Sequence, residues 1–169
     1  MYIDSFRPLS LLCCDYKILA KTIAEKIKKL LIKFSHNKQF CGVPGRTINQ
    51  CNIELRDLIY YANDTDTDLS VINLDWYKAF DLVPVDFVFK ILEKLGFGDI
   101  FVGWIRTLYN GIESTVVVNN ILSDFFPITR SVRQGCPLSM SLFIIFQEPF
   151  HRCVEEGNSP SKPDGLIRN

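Results

Sequence analysis

Between Asp15 and Phe34, apolar residues recur at helical spacing: Leu19, Ile23, Ile27, Leu30, Leu31 and Phe34, with lysines between them. That pattern predicts an amphipathic first helix, with Asp15 placed to cap it. Phe40 to Arg46 carries Gly42, Pro44 and Gly45 and reads as a loop. A second helix is expected from Ile48 to about Ala62, followed by an acidic turn from Asn63 to Asp68. Leu69-Ser70-Val71-Ile72-Asn73-Leu74 is short and rich in branched residues, so it reads as a buried strand ending on Asp75. Pro84 opens a third helix through Phe87, Phe89, Ile91, Leu92 and Leu95, broken by Gly96 and Gly98. A fourth runs from Ile100 to Tyr109. Ser114–Val118 and Leu122–Ile128 flank Asn119-Asn120, a β-hairpin signal, because Asn tolerates the positive φ of a tight turn. Pro137 opens a last helix to about Glu155, with a kink expected at Pro149. The fold class is α+β, with helices packed on a small, mostly antiparallel sheet. Residues 157–169 read as a mobile, loop-like tail.

Composition narrows the picture. The 169 residues suit one domain or most of one, and 47% hydrophobic content with 13 Phe permits a real core. Net charge is zero, which argues against a strong free-standing nucleic-acid binder. The average hides an asymmetry. From Asp15 to Lys38 there are seven Lys against two acids, whereas Asn49 to Asp68 holds five acids against one Arg. The first segment is either a basic patch or an ordinary solvated helix face. The six cysteines include no C-x-x-C pair and the two histidines form no useful pair, so free thiols fit better than zinc or disulfides. The N-terminus lacks a signal-peptide pattern, and the longest apolar run, Leu142–Phe146, is far short of the ~18 residues of a membrane span. A soluble protein of the nucleus or cytoplasm is expected.

Candidate chemistry centres on Asp75. A carboxylate leaving a buried strand needs a cationic partner, and a divalent metal is one. Turn or cap duty is the ordinary alternative. Asp81 is a second candidate ligand, or a cap for the next segment. Arg7, beside Pro8, could bind a triphosphate bidentately or form a surface ion pair, and Arg46 has the same two readings. Gly135 permits close approach of a backbone or base, and Gln134 offers both donor and acceptor. Together they form either a substrate-positioning loop or a structural turn. Phe80 is placed to lie beside a bound sugar, or else belongs to the core.

Taken jointly, these segments resemble the reverse transcriptases of non-LTR retrotransposons, the long-interspersed-element type. FRPLSLL with DYKILAK (Phe6 to Lys21) and QFCGVPGRTI (Gln39 to Ile48) look like the family's fingers motifs. INLDWYKAFDLV (Ile72 to Val83) looks like palm motif A, LEKLGFGDIFVGWIRTLYN (Leu92 to Asn110) like the helical link, and VRQGCPLS (Val132 to Ser139) like motif B. The resemblance covers roughly residues 6 to 156 in the family's order. It implies a partial right hand over residues 1–156, fingers plus palm up to motif B. The implied chemistry is templated nucleotidyl transfer from dNTP to a primer by two metals, Mg²⁺ or Mn²⁺. Asp75 would be the catalytic metal ligand, with the Trp76 carbonyl on the same ion. Phe80 would exclude a 2′-hydroxyl, Arg7 would hold the triphosphate, and Gln134 and Gly135 would line the nucleotide pocket. Arg46 and Lys21 would lie near nucleic-acid backbone. RNA template and DNA primer are the implied partners.

The sequence departs from the family in three places. Ser131 stands where Gly is usual and Met140 where Pro is usual. The Asp-Asp hairpin of motif C, expected after the last helix, has no counterpart before Asn169. The expectation is therefore a polymerase fragment, inactive alone for want of the second carboxylate pair and prone to self-association through an exposed palm edge. The alternative is a non-enzymatic retrotransposon remnant with weak or no nucleic-acid binding.

Overall fold

The computed structural model describes residues 7–157. Five helices dominate: α1 (Cys14–Phe34), α2 (Ile48–Asp64), α3 (Val85–Lys94), α4 (Asp99–Tyr109) and α5 (Ser139–Gly157). Between α4 and α5 lie four two-residue strands: β1 (Glu113–Ser114), β2 (Val117–Val118), β3 (Ile121–Leu122) and β4 (Phe126–Pro127). The fold is mixed α+β. The tail expected over 157–169 lies, apart from Gly157, outside the described residues.

The core is a helix-on-helix core. α3 packs against α4 and α5, and α1 closes over α4 and α5. The helices therefore pack on one another, not on a sheet, which corrects the layered arrangement expected from sequence. Ile27, Leu31, Leu92, Ile105, Leu138 and Leu142 are almost completely shielded from solvent. Each such side chain is worth about 1.5–3 kcal/mol relative to exposure. The buried stripe of α1 is Ala20, Ile23, Ala24, Ile27 and Leu31. Leu19, expected inside, is exposed. Two alanines displace the stripe because a methyl lets a neighbouring helix approach where a Leu would hold it off.

Capping explains the helix starts. Cys13, not Asp15, is the N-cap of α1, and Asp15 sits in the first turn, where it suits the helix dipole. Thr47 is the N-cap of α2, and its backbone N–H donates to Gln50 Oε1 at 2.9 Å. Only Ala62 of α2 is buried, so this helix stands largely apart. Pro84 is the N-cap of α3 and Gly98 that of α4. Pro149 lies within α5, where it removes one rung of the helix ladder.

The Asn119-Asn120 reading holds. Both residues have positive φ, 50° and 63°, as a type I′ turn demands, and they join β2 to β3. β1 and β4 pair outside them, Ser114 opposite Phe126. Ser123 links the two ladders: its N–H donates to Val116 O at 2.9 Å, and its Oγ accepts from Val116 N–H at 3.0 Å.

The strand expected over Leu69–Leu74 is absent. The segment has no ladder, and its side chains stand in solvent, from 38% exposed at Leu69 to 67% at Leu74. Branched apolar residues fit a pleated, half-buried surface, but a strand exists only when a second backbone lies alongside. No described segment does so here. Among the described residues no helix is long and apolar enough to cross a membrane.

Candidate nucleotide site

Three stretches of irregular backbone meet at the entrance to α5. The first is the chain from Arg7 to Leu12, which forms no helix or strand. The second is the turn from Tyr77 to Leu82, which reverses at Lys78 with φ of 44° and closes with Asp81 N–H donating to Lys78 O at 2.9 Å. The third is the loop from Ser131 to Leu138. Backbone hydrogen bonds join them. Val132 N–H donates to Phe80 O at 2.9 Å, Ser131 N–H to Val83 O at 3.0 Å, and Ser10 N–H to Gln134 O at 3.0 Å.

Side chains complete the join. Gln134 Nε2 donates to Asp81 Oδ1 at 3.2 Å. A carboxylate only accepts, so this contact fixes which end of the Gln134 amide faces Asp81 and leaves its carbonyl oxygen for another partner. Asp81 Oδ2 is shielded from solvent and has no hydrogen-bond partner. Gly135 has φ of +96°, and a Cβ there would stand 3.0 Å from Ser10 O. The close approach for which only glycine leaves room is thus made by the Ser10 backbone.

The motif A segment lies along α5. The Phe80 ring stacks on Phe143, with centroids 4.8 Å apart. The Trp76 ring meets Phe150 at 5.4 Å and Phe146 at 6.0 Å, both edge to face. Asp75, one residue before Trp76, is exposed, and its carboxylate has no ion-pair or hydrogen-bond partner among the described residues. Arg7 is exposed at the start of the stretch that reaches Gln134, and Lys21 is exposed on α1.

Arg46 sits elsewhere. Its Nη1 donates to His36 O at 2.6 Å and Gln39 O at 2.9 Å, and reaches Ser35 Oγ at 3.3 Å. That side chain braces the loop after α1. His36 N–H in turn donates to Glu148 Oε2 at 2.8 Å on α5, and Glu148 Oε1 accepts from Arg152 Nε at 2.8 Å. Gly42 meets α5 so closely that a Cβ would lie 2.8 Å from Ile144 Cδ1. These contacts were not foreseen from sequence. The two glycines of the loop signal a turn but do not say what the turn touches. An open depression lined by Val85, Asp86, Phe89, Arg106 and Ile128 includes none of the expected site residues.

Motif order and this joining of distant loops point to one family. Residues 3–159 match the family described as Reverse transcriptase (RNA-dependent DNA polymerase). The chain belongs to the reverse transcriptase family. It is 41% identical over 148 residues to the Transposon TX1 uncharacterized 149 kDa protein of Xenopus laevis, covering 88% of this chain and 11% of that protein. It is 23% identical over 141 residues to the Retrovirus-related Pol polyprotein from type-1 retrotransposable element R2 of Popillia japonica, covering 83% and 20%. A type-2 element polyprotein of Drosophila melanogaster is 23% identical over 89% of this chain and 14% of its own length. The chain is a reverse transcriptase domain of the non-LTR retrotransposon type, and it spans about a tenth to a fifth of these relatives.

Proposed function

We propose that this chain forms the fingers and part of the palm, residues 1–156, of a right-handed RNA-directed DNA polymerase. The observation that carries the reading is the joining of motif A to motif B. Val132 bonds Phe80, Gln134 bonds Asp81, and Ser10 bonds Gln134. An incoming nucleotide would lie over this junction. Phe80, braced by Phe143, would be a stiff floor under the sugar and reject a 2′-hydroxyl. Gln134 would offer its oriented amide, Gly135 would keep the wall thin, and Arg7 would meet the triphosphate as a planar fork. Lys21 and Arg46 are assigned to the template side. For Arg46 the role is indirect, through the loop it braces.

The metal is a separate matter. Asp75 supplies one carboxylate and Trp76 one carbonyl. Among the described residues no three His, Cys, Asp or Glu side chains gather into a metal-holding set. Mg²⁺ demands near-octahedral oxygen coordination, and two ions need several carboxylates. This donor set does not complete such a site, so no step through an ion follows from it. The chain alone is accordingly proposed to be inactive.

Primer extension on an RNA template with Mg²⁺ or Mn²⁺ tests this. The chain alone should give no product, and a product would overturn the inactivity. Joined to the remaining palm and thumb of a relative, it should extend primers. In that chimera Asp75→Asn should abolish synthesis. Phe80→Ala should keep synthesis but lose about 10–100-fold in discrimination against ribonucleotides. An active Asp75→Asn chimera would remove Asp75 from catalysis.

A further inference from the structure

Arg133 is a buried cation, only 9% exposed, that meets no carboxylate within ion-pair distance among the described residues. A charge in that position is costly unless something replaces the lost water. Three things do. Its Nη2 donates to Leu108 O at 3.0 Å, a carbonyl in the last turn of α4, at the negative end of the helix dipole. The guanidinium lies 4.8 Å from the Tyr16 ring centroid on α1. It lies 5.5 Å from that of Tyr109 on α4. Both rings present a negative face to a planar cation. Burial pushes both phenols well above their ordinary range, so both stay neutral.

The backbone of Arg133 is equally occupied. Its carbonyl accepts from Ser139 Oγ at 2.7 Å and from Cys136 N–H at 3.1 Å. Next in the chain come Gln134, tied to Ser10 and Asp81, and Gly135 against Ser10 O. One residue thus connects α1, the end of α4, the start of α5 and the turn between Gln134 and Cys136. A methionine of similar volume would fill this space without desolvating a charge. What it would lack is direction. A guanidinium fits between two rings only in one plane, and its fork points at one carbonyl.

We propose that Arg133 is the positioning residue of the Gln134–Gly135 turn, held by two tyrosine faces and the end of α4 in place of a carboxylate. The inference deepens the polymerase reading and rests on it only for what the turn contacts. Lysine cannot substitute, because an ammonium has no plane to stack and no fork.

Amide hydrogen exchange on the intact chain is the test. It needs neither nucleotide nor metal, so its outcome is separate from that of the polymerase reading. In Arg133→Lys and Arg133→Met, the Ser10 and Cys136 amides should exchange at least about tenfold faster, while Leu92 and Ile105 in the core keep their protection. A residue that merely added stability would speed all four together. Tyr16→Phe, which keeps the ring face and loses only the hydroxyl that Cys136 Sγ meets at 3.9 Å, should match the parent chain at Ser10, and Tyr16→Leu should behave like Arg133→Lys. Parent-like exchange at Ser10 and Cys136 in Arg133→Lys would overturn the inference, as would four amides rising in step. If the Arg133 variants fail to fold, identical exchange in Tyr16→Phe and Tyr16→Leu would overturn it equally.

Discussion

Gly135 shows how little room the candidate site leaves. Its φ of +96° is strained for any L side chain, and Ser10 O stands where a methyl would go. Gly135→Ala should therefore lower stability by about 1–3 kcal/mol, read as a drop in the thermal midpoint. Gly98→Ala, with φ outside the left-handed region and open space around it, should not. Arg46 gives a second case. One Nη1 serves three acceptors, so Arg46→Ala should cost about 1–3 kcal/mol by leaving carbonyls unsatisfied. Arg46→Lys should recover only part of that, and a full recovery would mean that charge alone holds the loop. Position by position, the sequence marked candidate residues but not which of them are bonded to one another. Asp81 and Gln134 were both marked as candidates. Their mutual hydrogen bond was not legible, because 53 residues separate them and nothing local encodes the contact.

Between elements, the second half of α5 is fastened to the turn after α1. His36 and Glu148 lie near His151 there, with Glu155 on His36 and Arg152 on Glu148. His36 Nε2 lies 3.0 Å from Glu155 Oε2, though poorly aligned for a hydrogen bond, and the two histidine rings are 5.7 Å apart. Burial first, then the neighbouring His36, lowers the His151 pKa below its ordinary value, and Glu148 opposes the shift. The folded state therefore binds this proton more weakly than the unfolded state. Stability from His151 is full above about pH 6.5 and is lost as pH falls from there toward the lowered folded value. Denaturant midpoints measured from pH 7 down to pH 5 should decline, and His151→Gln should flatten the decline. The β2–β3 hairpin makes a different element-level prediction. Asn120→Val forces a branched residue to φ near 63° and should cost the hairpin about 1–2 kcal/mol. Because the hairpin is exposed, the Ser123 amide should report the loss far more than the global midpoint does. Turn chemistry of this kind was legible from two adjacent asparagines. The Leu69–Leu74 strand was misread because pairing depends on a neighbour that the segment cannot specify. The α1 stripe was displaced because helical spacing alone does not favour Ala20 over Leu19.

At the scale of the molecule, much apolar surface lies outside the core. Ile48, Ile59, Tyr60 and Tyr61 are exposed on α2, Val71, Ile72 and Leu74 ahead of Asp75, and Ile121 and Leu122 on the hairpin. Exposed apolar segments with no ladder partner among the described residues invite association between chains. The isolated chain should therefore associate as concentration rises, and sedimentation velocity at low and high concentration would show it. A species that stays monomeric throughout would count against this surface being adhesive. A further consequence concerns the order in which the molecule assembles. The helices can form from local contacts, but the candidate site cannot. Gln134 reaches Asp81 across 53 residues and Tyr16 meets Cys136 across 120, while outside the site His36 reaches Glu148 across 112. Each such closure spends chain entropy before its contact forms. Refolding should thus yield helical ellipticity first and the Tyr16–Arg133 environment last, so a nascent chain has its helices well before the junction proposed to receive a nucleotide has closed.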